Sequence, residues 1–275
     1  MSDLALLVAE RSVLSVVEKS LTSLFQLAEI DRAAVVVPAR QLSDFARLKT
    51  PSIEVIAEDD VIPGHISQSI AARLGARQAR AGWYLQQFVK LGFCKCVEAP
   101  RYVIWDADTV LLQPMSFFRD GRLQLATAKE HHRPYFETFE RLMGARPALR
   151  SSAISQYMPV DVSCAKEMLE RIEGIHNRHW IDAILSVLPL QGNSEFSEYE
   201  TLANYMALSH PDKVSFVRHR WFRYGSDICG STTLPEIDEI AAIFSGYAYV
   251  AFERHPHSAF QRKLLRLMLK LGISS

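Results

Sequence analysis

The chain has 275 residues, 48% of them hydrophobic and 23% charged. This composition suits a folded globular protein and excludes a disordered one. Lys plus Arg and Asp plus Glu each number 31, so the chain lacks the concentrated positive charge that a phosphate backbone demands, and no nucleic-acid partner is expected.

Residues 4–9 read as a buried strand, too short for a signal peptide or a membrane span. An amphipathic helix follows, with Leu14, Val17, Leu21 and Leu24 on one face. Residues 33–37 form a second buried strand, stopped by Pro38. A short helix over 42–48 and a strand over 53–57 come next, and the strand runs into the acidic turn Glu58-Asp59-Asp60. Strands alternating with helices at this spacing predict βαβ units and a mainly parallel sheet.

A helix is predicted over 79–93. The strand 102–105 enters Asp106-Ala107-Asp108, and 110–114 continues as a hydrophobic strand with a Pro stop. Further strands are expected at 123–128, 158–162 and 214–217, and helices at 163–172, 179–188, 198–208 and 236–244. There is no internal repeat and no long Pro/Gly/Ser-rich linker. The expected fold is therefore one α/β domain with a more helical second half. Cys94, Cys96, Cys164 and Cys229 have no zinc or redox spacing and read as reduced cytoplasmic thiols.

The strongest chemical signal is Asp106-Ala107-Asp108 at the end of a buried strand. In an extended segment, residues two apart point to one side. The C-terminal edge of an α/β sheet is where ligands bind, and two hard oxygen donors there suit Mg²⁺ or Mn²⁺. The bland reading is a strand-end turn, with Asp106 capping the backbone and Asp108 solvated. Upstream, Trp83, Gln86, Gln87 and Lys90 share one helical face, offering an aromatic plate, amides and a cation. An amphipathic helix with a solvated polar side would look the same.

The order GW-x-x-QQ-x-x-KL, then an apolar strand into D-x-D, then apolar residues and Pro, resembles GT-A glycosyltransferases. More closely it resembles a bacterial family of uncharacterised glycosyltransferase-like proteins. That family also shows an F-S-E-Y-E segment, matched by Phe196-Ser197-Glu198-Tyr199-Glu200 before Asn204-Tyr205, and a W-x-R-x-G stretch similar to Trp221-Phe222-Arg223-Tyr224-Gly225. The resemblance runs from Leu4 to about Phe260.

It implies a single Rossmann-like GT-A domain over 1–257, with a nucleotide-sugar-binding half at 1–128 and an acceptor half at 129–257. Asp106 and Asp108 would coordinate Mn²⁺ or Mg²⁺ and contact the donor's ribose or diphosphate, with Asp108 also catalytic. Gln86, Gln87 and Lys90 would lie near the donor, with Lys90 facing phosphate or sugar. Glu10 and Arg11 would help hold the base. GT-A enzymes often carry a tyrosine-containing loop there, whereas this chain has Ala9-Glu10-Arg11-Ser12, which leaves the base contacts open. GT-A enzymes also commonly recruit a late histidine as a metal ligand, and His255 is the choice among His219, His255 and His257.

An inverting transferase needs a carboxylate to take the acceptor proton. Glu198, at a loop-to-helix start, is the first choice, against a plain helix N-terminal role that suits Glu195 better. The implied function is transfer of a sugar from a nucleotide-diphosphate donor to a glycan or lipid-linked acceptor. One alternative is a haloacid-dehalogenase-like phosphatase with Asp106 as nucleophile, although no second acidic pair follows Asp108. The other is a non-catalytic nucleotide-sugar binder. Finally, 258–275 forms a basic amphipathic helix. It reads either as packed on the core or as a peripheral contact with the inner face of the membrane.

Overall fold

The computed structural model of the chain describes residues 3–190, 192, 194–230, 234–253 and 257–271. In chain order, β1 (Asp3–Val8), α1 (Leu14–Leu27), β2 (Ile30–Val37), α2 (Leu42–Phe45), β3 (Ile53–Ala57), α3 (Glu58–Val61), α4 (His65–Leu74) and α5 (Ala81–Gly92) lead to β4 (Arg101–Trp105). Then come β5 (Thr109–Leu111), β6 (Phe118–Arg119), β7 (Arg122–Ala126), α6 (Arg133–Met143), β8 (Tyr157–Asp161), α7 (Val162–His176), α8 (Trp180–Val187) and α9 (Glu198–Ser209). The last elements are β9 (Val214–Val217), β10 (Trp221–Phe222), α10 (Gly225–Cys229), α11 (Ile237–Ile243), β11 (Tyr249–Ala251) and α12 (Ala259–Leu271).

The central sheet has the order β3-β2-β1-β4-β8. The first four strands are parallel, as expected, and β8 runs antiparallel to β4 with Trp105 opposite Tyr157. All six residues of β1 are buried. A strand covered by helices on both faces must be apolar throughout rather than alternating, which explains the run Leu4-Ala5-Leu6-Leu7-Val8. From one side α1 buries Val17, Leu21 and Leu24, and α5 buries Tyr84, Phe88 and Leu91.

The chain leaves this sheet after Trp105. Instead of continuing as one strand, it turns and enters β5, which pairs antiparallel with β11 in a small sheet of order β10-β11-β5. Trp105 holds the junction. Its indole N–H is shared between the Thr109 carbonyl at 2.9 Å and the Ser20 hydroxyl at 3.0 Å. Its ring packs on Tyr157, Tyr249 and Phe117. A fully buried indole with its one donor satisfied anchors two sheets at once.

Three helices, α4, α6 and α10, fall where the sequence reading has none. The signals for α6 are present in the chain. Pro134 sits in the first turn, Tyr135, Phe136, Phe139, Leu142 and Met143 share the buried face, and Gly144 follows with φ 62°. Glu58-Asp59-Asp60, expected as a turn, forms one turn of helix, where acids favour the positive N-terminal end. The predicted strand over 110–114 shortens to Thr109–Leu111, after which the N–H groups of Leu112 and Gln113 both donate to the Ala248 carbonyl.

Candidate functional site

A cleft of about 830 Å³ opens across the C-terminal ends of β1, β2 and β4, where an α/β sheet exposes its ligand-binding edge. Val8, Ala9 and Glu10 line it from β1, Pro38 from β2, and Asp106 and Asp108 from beyond β4. The cleft-facing side of α5 supplies Trp83, Gln86, Gln87 and Lys90, and residues beyond 128 close the other wall, among them Glu130, Gln156, Glu198, Tyr199, Arg223 and Glu253.

Asp106 and Asp108 do face one cleft, but not by strand alternation. They sit on a tight turn in which the Thr109 N–H donates to the Asp106 carbonyl at 2.9 Å. This corrects the extended-segment argument. The turn itself was the bland reading, yet neither side chain plays the bland part. Asp106 Oδ1 accepts from Lys90 Nζ at 2.6 Å and from the Tyr199 hydroxyl at 2.8 Å. Asp108 is partly buried beside Asp106 and Glu253. Desolvation first, and those two like charges next, push its carboxyl up to about 7.

Lys90 Nζ also donates to Glu198 Oε1 at 2.8 Å, so one ammonium bridges two carboxylates. Burial works against its charge, but Asp106 and Glu198 overturn that and hold the ammonium well above the usual lysine range. Lys90, expected to face phosphate or sugar, lines the cleft with both of these ion-pair bonds running to protein carboxylates. Its Nζ also lies 4.7 Å from the Tyr199 ring centroid.

The F-S-E-Y-E block places each side chain on a different partner. Phe196 packs on Phe88. Ser197 caps α9 by accepting from the Glu200 N–H. Glu198 meets Lys90, and Tyr199 meets Asp106. Glu200 accepts from the Ser152 hydroxyl at 2.5 Å and the Ala153 N–H at 3.1 Å, and burial pushes its carboxyl up to about 7. Glu200 is thus a structural acid, and so is Glu195, which accepts from the Leu190 and Gly192 N–H groups.

The sequence reading missed a second set of groups. Gln156 has φ 70°, a left-handed backbone rare outside glycine. Its carbonyl accepts from the Asp106 N–H at 2.8 Å. Its amide accepts from the Thr109 hydroxyl at 3.2 Å and donates to Glu253 Oε1 at 2.9 Å. Glu253 pairs with Arg223, which also reaches Glu130 at 2.8 Å. The W-x-R-x-G stretch was the available signal. Gly225 explains part of it, because a Cβ there would lie 2.8 Å from Val250 Cγ2 and 3.0 Å from the Ala251 carbonyl.

The remaining expected residues divide. Gln86 lines the cleft and donates to the Val8 carbonyl, and Gln87 Oε1 accepts from the Glu198 N–H. Glu10 lines the cleft, whereas Arg11 stands outside the lining with its exposed guanidinium 3.8 Å from Asp44. His255 lies outside the described residues. His257 contacts Asp227 at 2.7 Å and packs on Tyr224. His219 is packed between Tyr157 and Tyr249, and burial lowers its pKa. His131 stacks on Phe136, and His132 contacts the Ser194 carbonyl. Among the described residues, no group of three or more His, Cys, Asp or Glu is gathered as a metal site.

The chain is thus an α/β protein whose mainly parallel sheet presents an acid-lined cleft across its strand ends, the edge at which such sheets bind ligands. The chain belongs to a protein family of unknown function, DUF6492, which it matches over residues 9–220. No curated protein matches it. Solved structures with a similar chain path include mouse xyloside xylosyltransferase 1 in its apo form, at 12% identity and TM-score 0.46, covering 91% of this chain and 97% of that one. Another is the apo glycosyltransferase GlyE of Streptococcus pneumoniae TIGR4, at 9% identity and TM-score 0.46, covering 99% of this chain and 62% of that one. A third is the galactosyltransferase LgtC with donor and acceptor sugar analogs, at 12% identity and TM-score 0.48, covering 96% and 95%. At such distances no residue role passes from them to this chain.

Proposed function

We propose that this chain is a metal-dependent glycosyltransferase of the GT-A type, acting in the cytoplasm. It would move a sugar from a nucleotide-diphosphate donor to a glycan or lipid-linked acceptor. The reading rests on Asp106 and Asp108, two carboxylates on one turn at the C-terminal edge of a parallel sheet, with Asp108 held among like charges. A crowded set of hard oxygen donors gains from a dication. Mn²⁺ and Mg²⁺ both accept carboxylates beside water and diphosphate oxygens, so the donor set fits either. Asp106 and Asp108 would hold the ion, with His255 kept as the proposed further ligand. Held there, a dication would supply positive charge against the negative charge that develops on the leaving nucleoside diphosphate.

The chain's own groups then have separate tasks. In this reading residues 1–128 carry the donor side and 129–257 the acceptor side. Glu10 and Gln86 border the donor. Lys90 and Tyr199 fix the Asp106 carboxylate from two directions, which keeps one oxygen position constant. Gln87 holds the first turn of α9, and with it Glu198, against the cleft. Glu198 is the proposed base for the acceptor hydroxyl. A proton taken there would leave the Lys90 charge to Asp106.

Incubating the chain with uridine- and guanosine-diphosphate sugars tests the reading. The expected result is nucleoside diphosphate release that requires Mn²⁺ and is lost in Asp108→Asn. Phosphate release from simple monoesters would instead support the phosphatase. Donor binding without turnover would support the non-catalytic binder. Flat calorimetry with Mn²⁺ and every sugar nucleotide would sink the proposal.

A further inference from the structure

The C-terminal helix α12 has three sectors. Leu265 is buried, and Met268 and Leu269 pack beside it against the apolar cluster of Val110, Phe222, Ile240 and Val250. This sector seats the helix on the small sheet. Phe260, Leu264 and Leu267 are 76%, 48% and 50% exposed. At about 100° per residue they fall within an arc of about 60°, which borders the packed sector on the Met268 side and lies about 100° from Leu265. The third sector holds Arg262, Lys263 and Arg266, all exposed. No acid occurs between Ala259 and Leu271.

A helix that only packs on a core shows polar residues elsewhere. This one leaves three large apolar side chains exposed between its packed sector and its cations. We infer that this face of α12 docks the chain on an anionic membrane surface. Phe260, Leu264 and Leu267 enter the boundary between headgroups and acyl chains, and the three cations meet lipid phosphates. No helix among the described residues is long and apolar enough to cross a membrane, so the contact is peripheral. It is independent of the proposed reaction.

Co-sedimentation of the full chain with vesicles tests this. Wild type should pellet with phosphatidylcholine–phosphatidylglycerol vesicles, less so at high salt, and not with phosphatidylcholine alone. Reversing Arg262, Lys263 and Arg266 to Glu should weaken the partition by at least fivefold per cation. Phe260→Ser/Leu264→Ser/Leu267→Ser should release the chain while its melting temperature stays unchanged, since these side chains are exposed. If the serine variant unfolds, the charge-reversed variant decides by itself. Equal pelleting of wild type and charge-reversed chain, or none by wild type, overturns the inference. So does a dimer in lipid-free solution that dissociates in the serine variant, which would mark the face as a self-association surface.

Discussion

Asp106 and Asp108 are separated by one alanine and line the same cleft, yet their surroundings are opposite. Asp106 has a buried ammonium and a phenol on one oxygen. Asp108 has two acids for neighbours and is pushed up to about 7. Side-chain identity therefore decides little about charge here. The supply of counter-charge from distant elements decides it. Asp106 is fixed before any ligand arrives, while Asp108 is the member whose state a bound cation would change most.

The largest effect should come from breaking the Asp106 side. Lys90→Met leaves Asp106 and Glu198 facing each other without their shared cation. Removing one partner of a buried ion pair costs about 3–5 kcal/mol, measured by denaturant unfolding. A wild-type-like midpoint would mean that the triad is not formed. Next, Asp108→Asn removes an acid from among like charges. Metal-free, it should unfold later than the parent at alkaline pH. The parent should gain about 2.7 kcal/mol at a hundredfold excess of Mn²⁺ over its dissociation constant, and the variant should not.

Glu200 sharpens the comparison outside the acid turn, because it is buried with hydrogen bonds from Ser152 and Ala153 and, among the described residues, without a cation bonded to it. Burial raises its carboxyl from the ordinary 4.5 to about 7. Stability linked to it is fully present below pH 4.5 and is lost as pH rises to about 7. Glu200→Gln should flatten that loss, worth roughly 3 kcal/mol, in melts across this window. An unchanged pH slope would remove Glu200 as its source. The smallest effect concerns Gln156, whose carbonyl and amide tie the acid turn to Glu253. At φ 70°, Gln156→Gly should be about 1 kcal/mol more stable than Gln156→Ala, the reverse of the usual order.

Much of the fold was legible. The buried parallel strands announced themselves because a strand covered on both faces must be apolar throughout. The acid pair stood out because two carboxylates closing such a strand have few structural uses. Gln156, Glu130 and Glu253 were not legible, since no local pattern marks a left-handed glutamine or a glutamate that meets a distant arginine. The helix α6 was legible and went unread, with proline, apolar spacing and glycine all in place.

By itself the sequence determined the strand–helix alternation, the position of the acid pair at a strand end, and the apolar and basic character of the last helix. These are short-range properties, set by periodicity and by neighbours within a few residues. Only the tertiary structure decided that Lys90 bridges Asp106 and Glu198, that Tyr199 joins them, and that Asp108 is left among acids. Residues 90, 106 and 198 lie far apart along the chain and meet only when α5, β4 and α9 pack together. Charge states follow from that meeting, because Coulomb interaction and desolvation depend on distance in space and not on distance along the chain.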